Sequence, residues 1–167
     1  MQLLVIRHAI AEDREEFAKS ARDDDERPLT EDGIRKMRRA ARGLRELVPH
    51  IDTLVSSPLV RAQQTADIVR REYDLDGVAN APELEPEAPL AKVAAALARY
   101  GGDVVAIIGH EPHLSRLVTY LVSGVDRSGV ELKKGGACLL EFDGAVRRTG
   151  GTIVWAAPPR ILRDLAG

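Results

Sequence analysis

The chain has 167 residues, a length suited to one domain (1–167) around one core. With 44% hydrophobic and 30% charged residues it has the composition of a folded globular protein, not a disordered one. Its formal net charge of -2 gives no support to a nucleic-acid partner, which would call for a basic excess.

Leu3, Leu4, Val5 and Ile6 form a continuous apolar run, the pattern of a central strand covered on both faces. Four apolar residues stopped by Arg7 do not make a signal peptide, and no stretch of the chain approaches a membrane span. A cytoplasmic location without a membrane partner is the expectation. Arg7 and His8 end the strand, where open α/β sheets place their ligands. After Ala9–Asp13 the chain is highly charged to Arg27, and its acidic run, Asp23 to Glu26, reads as a solvated loop or short helix face.

Thr30 is a good helix N-cap, followed by Glu31 and Asp32 in the first turn. Ile34, Met37, Ala41, Leu44 and Val48 then mark one buried helix face. Arg35, Lys36, Arg38, Arg39, Arg42 and Arg45 occupy mostly the opposite side, as a solvated face or a docking surface for an acidic partner. Thr53–Val55 is a second strand. Ser57 and Pro58 suit the cap and first position of the next helix, whose buried face is Ala62, Ala66, Val69 and Tyr73. Arg61 falls in the first turn, where a cation sits badly against the helix dipole unless it serves an anion.

Residues 74–89 read as a loop with a short strand near Val78 and Ala79. Leu90 to Tyr100 is a helix ended by Gly101 and Gly102. Asp103–His110 repeats the opening design, an apolar strand ending in histidine, and Pro112 opens another helix with Leu114, Leu117, Val118, Leu121 and Val122 inward. Lys133–Gly136 is a turn, Ala137–Phe142 a strand, Asp143-Gly144 a hairpin signal, Thr152–Ala156 a strand and Arg160–Leu165 a terminal helix. Cys138, the single cysteine, lies in an apolar run and reads as a buried, inert thiol. His113 is placed at a pocket rim or in solvent, and His50 in a loop.

The alternation of strands and helices predicts a three-layer α/β/α sandwich with a mostly parallel sheet. In such a sheet Arg7, His8, Arg61 and His110 converge on one edge. Two arginines and two histidines suit a phosphoryl group: the guanidinium forks neutralise non-bridging oxygens, one imidazole can attack phosphorus and the other can donate to developing charge. His110 and His113 offer only two nitrogens, too few for a metal site, and no P-loop occurs.

Arg7-His8, the stretch Ser56-Ser57-Pro58-Leu59-Val60-Arg61-Ala62-Gln63-Gln64-Thr65 and Gly109-His110 resemble the histidine phosphatase (phosphoglycerate mutase-like) superfamily. Arg27-Pro28-Leu29-Thr30, Pro82-Glu83-Leu84 and Gly109-His110-Glu111-Pro112 are similar to its small SixA-like branch of phosphohistidine phosphatases. Ala9 departs from the glycine that many relatives carry after Arg-His. The resemblance implies a phosphoglycerate mutase-like fold, His8 as nucleophile and phosphate carrier, Arg7 and Arg61 holding the phosphate, His110 stabilising the transferring group, and no metal or cofactor. It implies hydrolysis of phosphohistidine on a protein, such as a histidine-phosphotransfer domain in signal transduction. The alternatives are a small-molecule phosphomonoesterase or mutase, or a non-catalytic phosphate-binding adaptor. For the proton donor Glu83 and Glu85 are the candidates, with Glu87, Glu12 and Asp13 behind them. An imidazole leaving group needs less help from an acid than an alkoxide does.

Overall fold

The computed structural model describes all residues, Met1–Gly167. The sheet is built outward from β1, Gln2–Arg7, whose Leu3, Leu4, Val5 and Ile6 are completely buried. Successive side chains of a strand point to opposite faces. Leu4 and Ile6 therefore enter one core and Leu3 and Val5 another. The first core is closed by α2 (Glu31–Leu47), α3 (Val60–Glu72) and α6 (Pro159–Leu165). The second is closed by α4 (Leu90–Leu97) and α5 (His113–Ser123). A single strand thus feeds both cores, and the three-layer α/β/α expectation holds.

The remaining strands are β2 (Thr53–Ser56), β3 (Ala79–Asn80), β4 (Val104–Gly109), β5 (Ala137–Phe142) and β6 (Gly151–Ala157), and their order in the sheet is β3-β2-β4-β1-β5-β6. β1 pairs in parallel with β4 and antiparallel with β5; β2 pairs in parallel with both β4 and β3; β5 and β6 are antiparallel. Only β5 runs against the others, so the sheet is mostly parallel. The register sets Arg7 opposite Gly109. His8 N–H then donates to the Gly109 carbonyl at 3.0 Å, carrying the pairing one residue past the strand.

Several local expectations need correction. The acidic run takes its short-helix alternative, but is not merely solvated: Asp13 caps a short helix, α1 (Arg14–Ala18), Asp23 caps a 3-10 turn at Asp24–Glu26, and Asp24 pairs with Arg27. Ser57 and Pro58 do not open α3, which starts at Val60 without a side-chain cap, because the Ser57 hydroxyl is engaged by His110. Pro112 caps α5 instead of entering it, α4 stops at Leu97 ahead of the glycines, and the short strand sits one residue later than expected. Thr30 caps α2 as read, with its hydroxyl accepting from Gly33 N–H at 2.9 Å. Cys138 is fully buried, and burial alone pushes its thiol up to about 11.

Gly43 shows how closely α2 packs on α6. A Cβ built there would land on the Leu162 carbonyl oxygen, which is backbone and cannot rotate away. Alanine improves helix propensity by about 1 kcal/mol, whereas forced overpacking costs about 1–3 kcal/mol. Gly43→Ala is therefore expected to lower the urea midpoint; a raised midpoint would show that α6 is loosely held.

Candidate active site

The ends of β1 and β4 deliver the two histidines side by side. The His8 and His110 rings lie 5.2 Å apart between centroids, tilted by 51°, and both residues are buried. His8 Nδ1 lies 2.7 Å from its neighbour's carbonyl, Ala9 O. A carbonyl only accepts, so Nδ1 carries the proton and Nε2 keeps its lone pair. Burial, reinforced by the charges of Arg61, Arg7 and Lys134, pushes the His8 imidazole down to about 3. The ring is neutral at physiological pH and presents an unprotonated nitrogen.

The backbone that aims this ring is itself tied down. Ala9 N–H donates to Thr65 Oγ1 at 3.0 Å, and that hydroxyl donates to the Arg61 carbonyl at 2.7 Å. Thr65 is fully buried. On the other side, the Gly135 N–H approaches the Arg7 and His8 carbonyls, and Arg7 N–H donates to Gly136 O at 3.1 Å. The peptide after His8 is thus clamped between α3 and the turn before β5.

His110 Nε2 lies 2.8 Å from Ser57 Oγ, which also faces Leu59 N–H at 3.4 Å. A serine hydroxyl that accepts from Leu59 and donates to Nε2 leaves Nδ1 as the protonated nitrogen. Burial, followed by the proximity of His8 and Arg61, pushes His110 down to about 2. This neutral imidazole is a hydrogen-bond donor and not a cation.

Arg61 is buried despite its charge. It donates to the Asp24 carbonyl at 2.8 Å, and its other terminal nitrogen lies 3.3 Å from the Asp24 carboxylate. Arg27, also buried, donates to the same carboxylate at 2.8 Å and to Glu12 O. Asp24 therefore contacts both guanidinium groups, and its hydrogen bond from Arg27 holds it below the usual carboxylate range. The guanidinium of Arg7 donates to Leu132 O at 2.8 Å.

Five buried side-chain polar atoms in the chain make no hydrogen bond: Arg7 Nε, Arg61 Nε, His110 Nδ1, Glu111 Oε1 and His113 Nδ1. All belong to this cluster or to the turn of α5 beside it. An unpaired buried donor costs about 1–3 kcal/mol, so such groups call for an explanation. The first three are donors around the His8 ring. A tetrahedral oxyanion seated against His8 would accept from all three.

The four residues singled out in the sequence are brought together. Glu83 and Glu85 are not: Glu83 is 3.6 Å from Arg99 and Glu85 is exposed. His113 is wholly buried, with Nε2 donating to Ala88 O at 2.8 Å, and lies neither at a rim nor in solvent. Glu111 was not read as a candidate. It lines, with Arg7, Ser115 and Ser128, a cavity of about 530 Å³. Ser115 donates to Glu111 Oε2 at 2.6 Å, and burial raises the carboxyl above its ordinary range despite that bond and Arg7. Its signal was its place directly after His110. Lys134, exposed on the turn before β5, adds positive charge near Arg7 and His8.

The model of the histidine phosphatase superfamily (branch 1) matches residues 3–85. The chain is 34% identical over 128 residues to the phosphohistidine phosphatase SixA of Escherichia coli, covering 74% of this chain and 76% of that protein. It is 32% identical over 139 residues to an uncharacterised protein of Picosynechococcus, covering 81% and 82%. Among solved structures, the protein histidine phosphatase SixA complexed with tungstate superposes with a TM-score of 0.82 at 29% identity, covering 97% of this chain and 99% of that one.

Two buried neutral histidines leave a trace in stability. Both pKa values lie below the ordinary imidazole value, so the unfolded chain binds protons that the folded chain refuses. Stability is complete above about pH 6.5 and falls as pH drops toward 3, by up to about 1.4 kcal/mol per pH unit from each ring. Urea midpoints between pH 7 and 4 should decline less steeply for His8→Asn/His110→Asn than for the unmutated chain. Parallel slopes would contradict neutral burial.

Proposed function

The chain belongs to the histidine phosphatase superfamily and is a phosphatase, and from that premise we propose that it cleaves phosphohistidine on a protein through a covalent intermediate at His8. The observation that carries the proposal is the state of His8: neutral, fixed by Ala9 O, with its Nε2 lone pair open beside the unpaired donors of Arg7, Arg61 and His110. Nε2 attacks phosphorus, a new P–N bond forms, and the P–N bond to the substrate imidazole breaks. The substrate ring leaves with the proton it already carries. Water then attacks the phosphorus of phospho-His8, the second P–N bond breaks, and inorganic phosphate departs with the water's oxygen. Arg7, Arg61 and His110 are the groups that meet the charge on the transferring oxygens. That the related SixA structure is complexed with tungstate, a tetrahedral oxyanion, supports the binding of such an anion by this fold.

A protein substrate is supported by the similarity to phosphohistidine phosphatase SixA and by the short segments that frame the site: α1 and the 3-10 turn on one side, the turn before β5 on the other. Comparing kcat/KM for a phosphorylated histidine-phosphotransfer domain with a panel of sugar and nucleotide phosphates tests it. The domain should be preferred, and His8→Ala should reduce turnover to background. Strong preference for a small ester would overturn the protein assignment.

Glu111 favours a second reading, a small-molecule phosphomonoesterase. A half-buried carboxyl of raised pKa beside Arg7 is suited to protonate an alkoxide. Under the first reading Glu111→Gln lowers any ester turnover by about a hundredfold or more and leaves phosphohistidine turnover within a few-fold. Equal losses on both substrates would contradict that division.

A further inference from the structure

The outer faces of α2 and α3 carry a local cation excess on a chain whose net charge is -2. α2 alone holds six cations against three acids. Most are already engaged: Arg35 and Lys36 pair with Asp32, Arg45 with Asp74, and Arg39 donates to Arg163 O. Arg38 and Arg42 are exposed and form no ion pair. Four residues apart on one helix, they stand about 6 Å apart along its axis, two guanidinium forks in a row.

These two arginines rim a groove of about 590 Å³ between α2 and α3. Ile34 and Ile68, both half-buried, give it apolar surface, and Arg71 stands on the α3 side. Of its two acids, Asp67 is taken up by Arg70 and Arg71 at 2.9 Å each and Glu72 lies at the far end along α3, so three arginines face two carboxylates. Along α3 the groove runs from Gln63 to Glu72, about 14 Å or two and a half helical turns. Its upper end is part of the candidate active site's own scaffold. Gln63 Nε2 donates to Ser57 O at 2.7 Å, and Ser57 holds His110; Gln64 Oε1 accepts from Leu29 N–H at 2.7 Å.

We propose that this groove docks an acidic amphipathic helix of the same phosphoprotein whose phosphohistidine enters the site. The inference rests on the phosphohistidine assignment above. Apolar floor, cationic rim and length match a helix of two to three turns with carboxylates one turn apart and apolar residues between them. Free guanidinium forks on the rim steer and orient such a partner, an effect screened by salt.

Steady-state kinetics on two substrates tests this: a phosphorylated, acidic histidine-phosphotransfer domain, and phosphoimidazole, too small to touch the groove. Arg38→Glu/Arg42→Glu should raise KM for the domain about tenfold or more, leave its kcat unchanged, and leave phosphoimidazole turnover as in the unmutated chain. The KM for the domain should rise with salt in the unmutated chain and lose most of that dependence in the double variant. Arg35→Glu, outside the groove, is the control, and melting temperatures confirm folding. An unchanged KM for the domain, or an equal loss on phosphoimidazole, overturns the groove assignment alone. A chain that hydrolyses esters but never the phosphorylated domain overturns both the groove and the phosphohistidine reading.

Discussion

The parallel pairing of β1 with β4 is the constraint on which the rest depends. Setting Arg7 opposite Gly109 places the residue that follows each strand, His8 and His110, side by side at one sheet edge. A one-residue slip would turn every side chain to the opposite face. The register is locked by burial: Leu3, Leu4, Val5 and Ile6 alternate between two cores, with Val105 to Ile108 doing the same beside them. Each fully buried large apolar side chain contributes about 1.5–3 kcal/mol, so the core fixes the geometry of the two imidazoles.

Around that pair the fold gathers cations that repel one another. Arg61, Arg7 and Lys134 all act on His8, and Arg27 acts on Arg61. Their repulsion is offset by Asp24 at Arg61 and Arg27, by Glu111 and Glu131 at Arg7, and by the carbonyls of Asp24, Glu12 and Leu132. The compensation is incomplete, since Arg7 Nε and Arg61 Nε stay unpaired. On the proposed reading an incoming phosphoryl dianion completes it. The same burial and field keep both imidazoles neutral, so one nitrogen has a lone pair for phosphorus while the neighbouring ring still has a proton to donate.

Much of this was legible in the sequence because it is carried by local pattern. Apolar runs ending in Arg-His and Gly-His marked β1 and β4, and spacing marked the inward faces of α2, α3 and α5. What was not legible depends on contacts between distant segments. Asp24 lies 37 residues from Arg61 and looked like one of several solvated acids; only the return of the chain after α1 brings it to the guanidinium. Ser57 read as a helix cap because the sequence does not show that His110 reaches its hydroxyl. His113 could not be told from a surface histidine without knowing that α5 turns it toward Ala88. Glu83 and Glu85 stand out in the sequence as acids of a loop, while no local pattern marks Glu111, since its environment comes from Arg7, Ser115 and Ser128 together.

The central claim is that His8 Nε2 takes the phosphoryl group. Its most direct test is rapid mixing with a ³²P-labelled phosphohistidine protein, quenched in alkaline denaturant because a phosphoramidate is stable to base and labile to acid. The account predicts transient label on the chain that is acid-labile, maps to His8 by mass spectrometry, and is absent in His8→Ala. Full phosphate release by His8→Ala, or label on another residue, would contradict it.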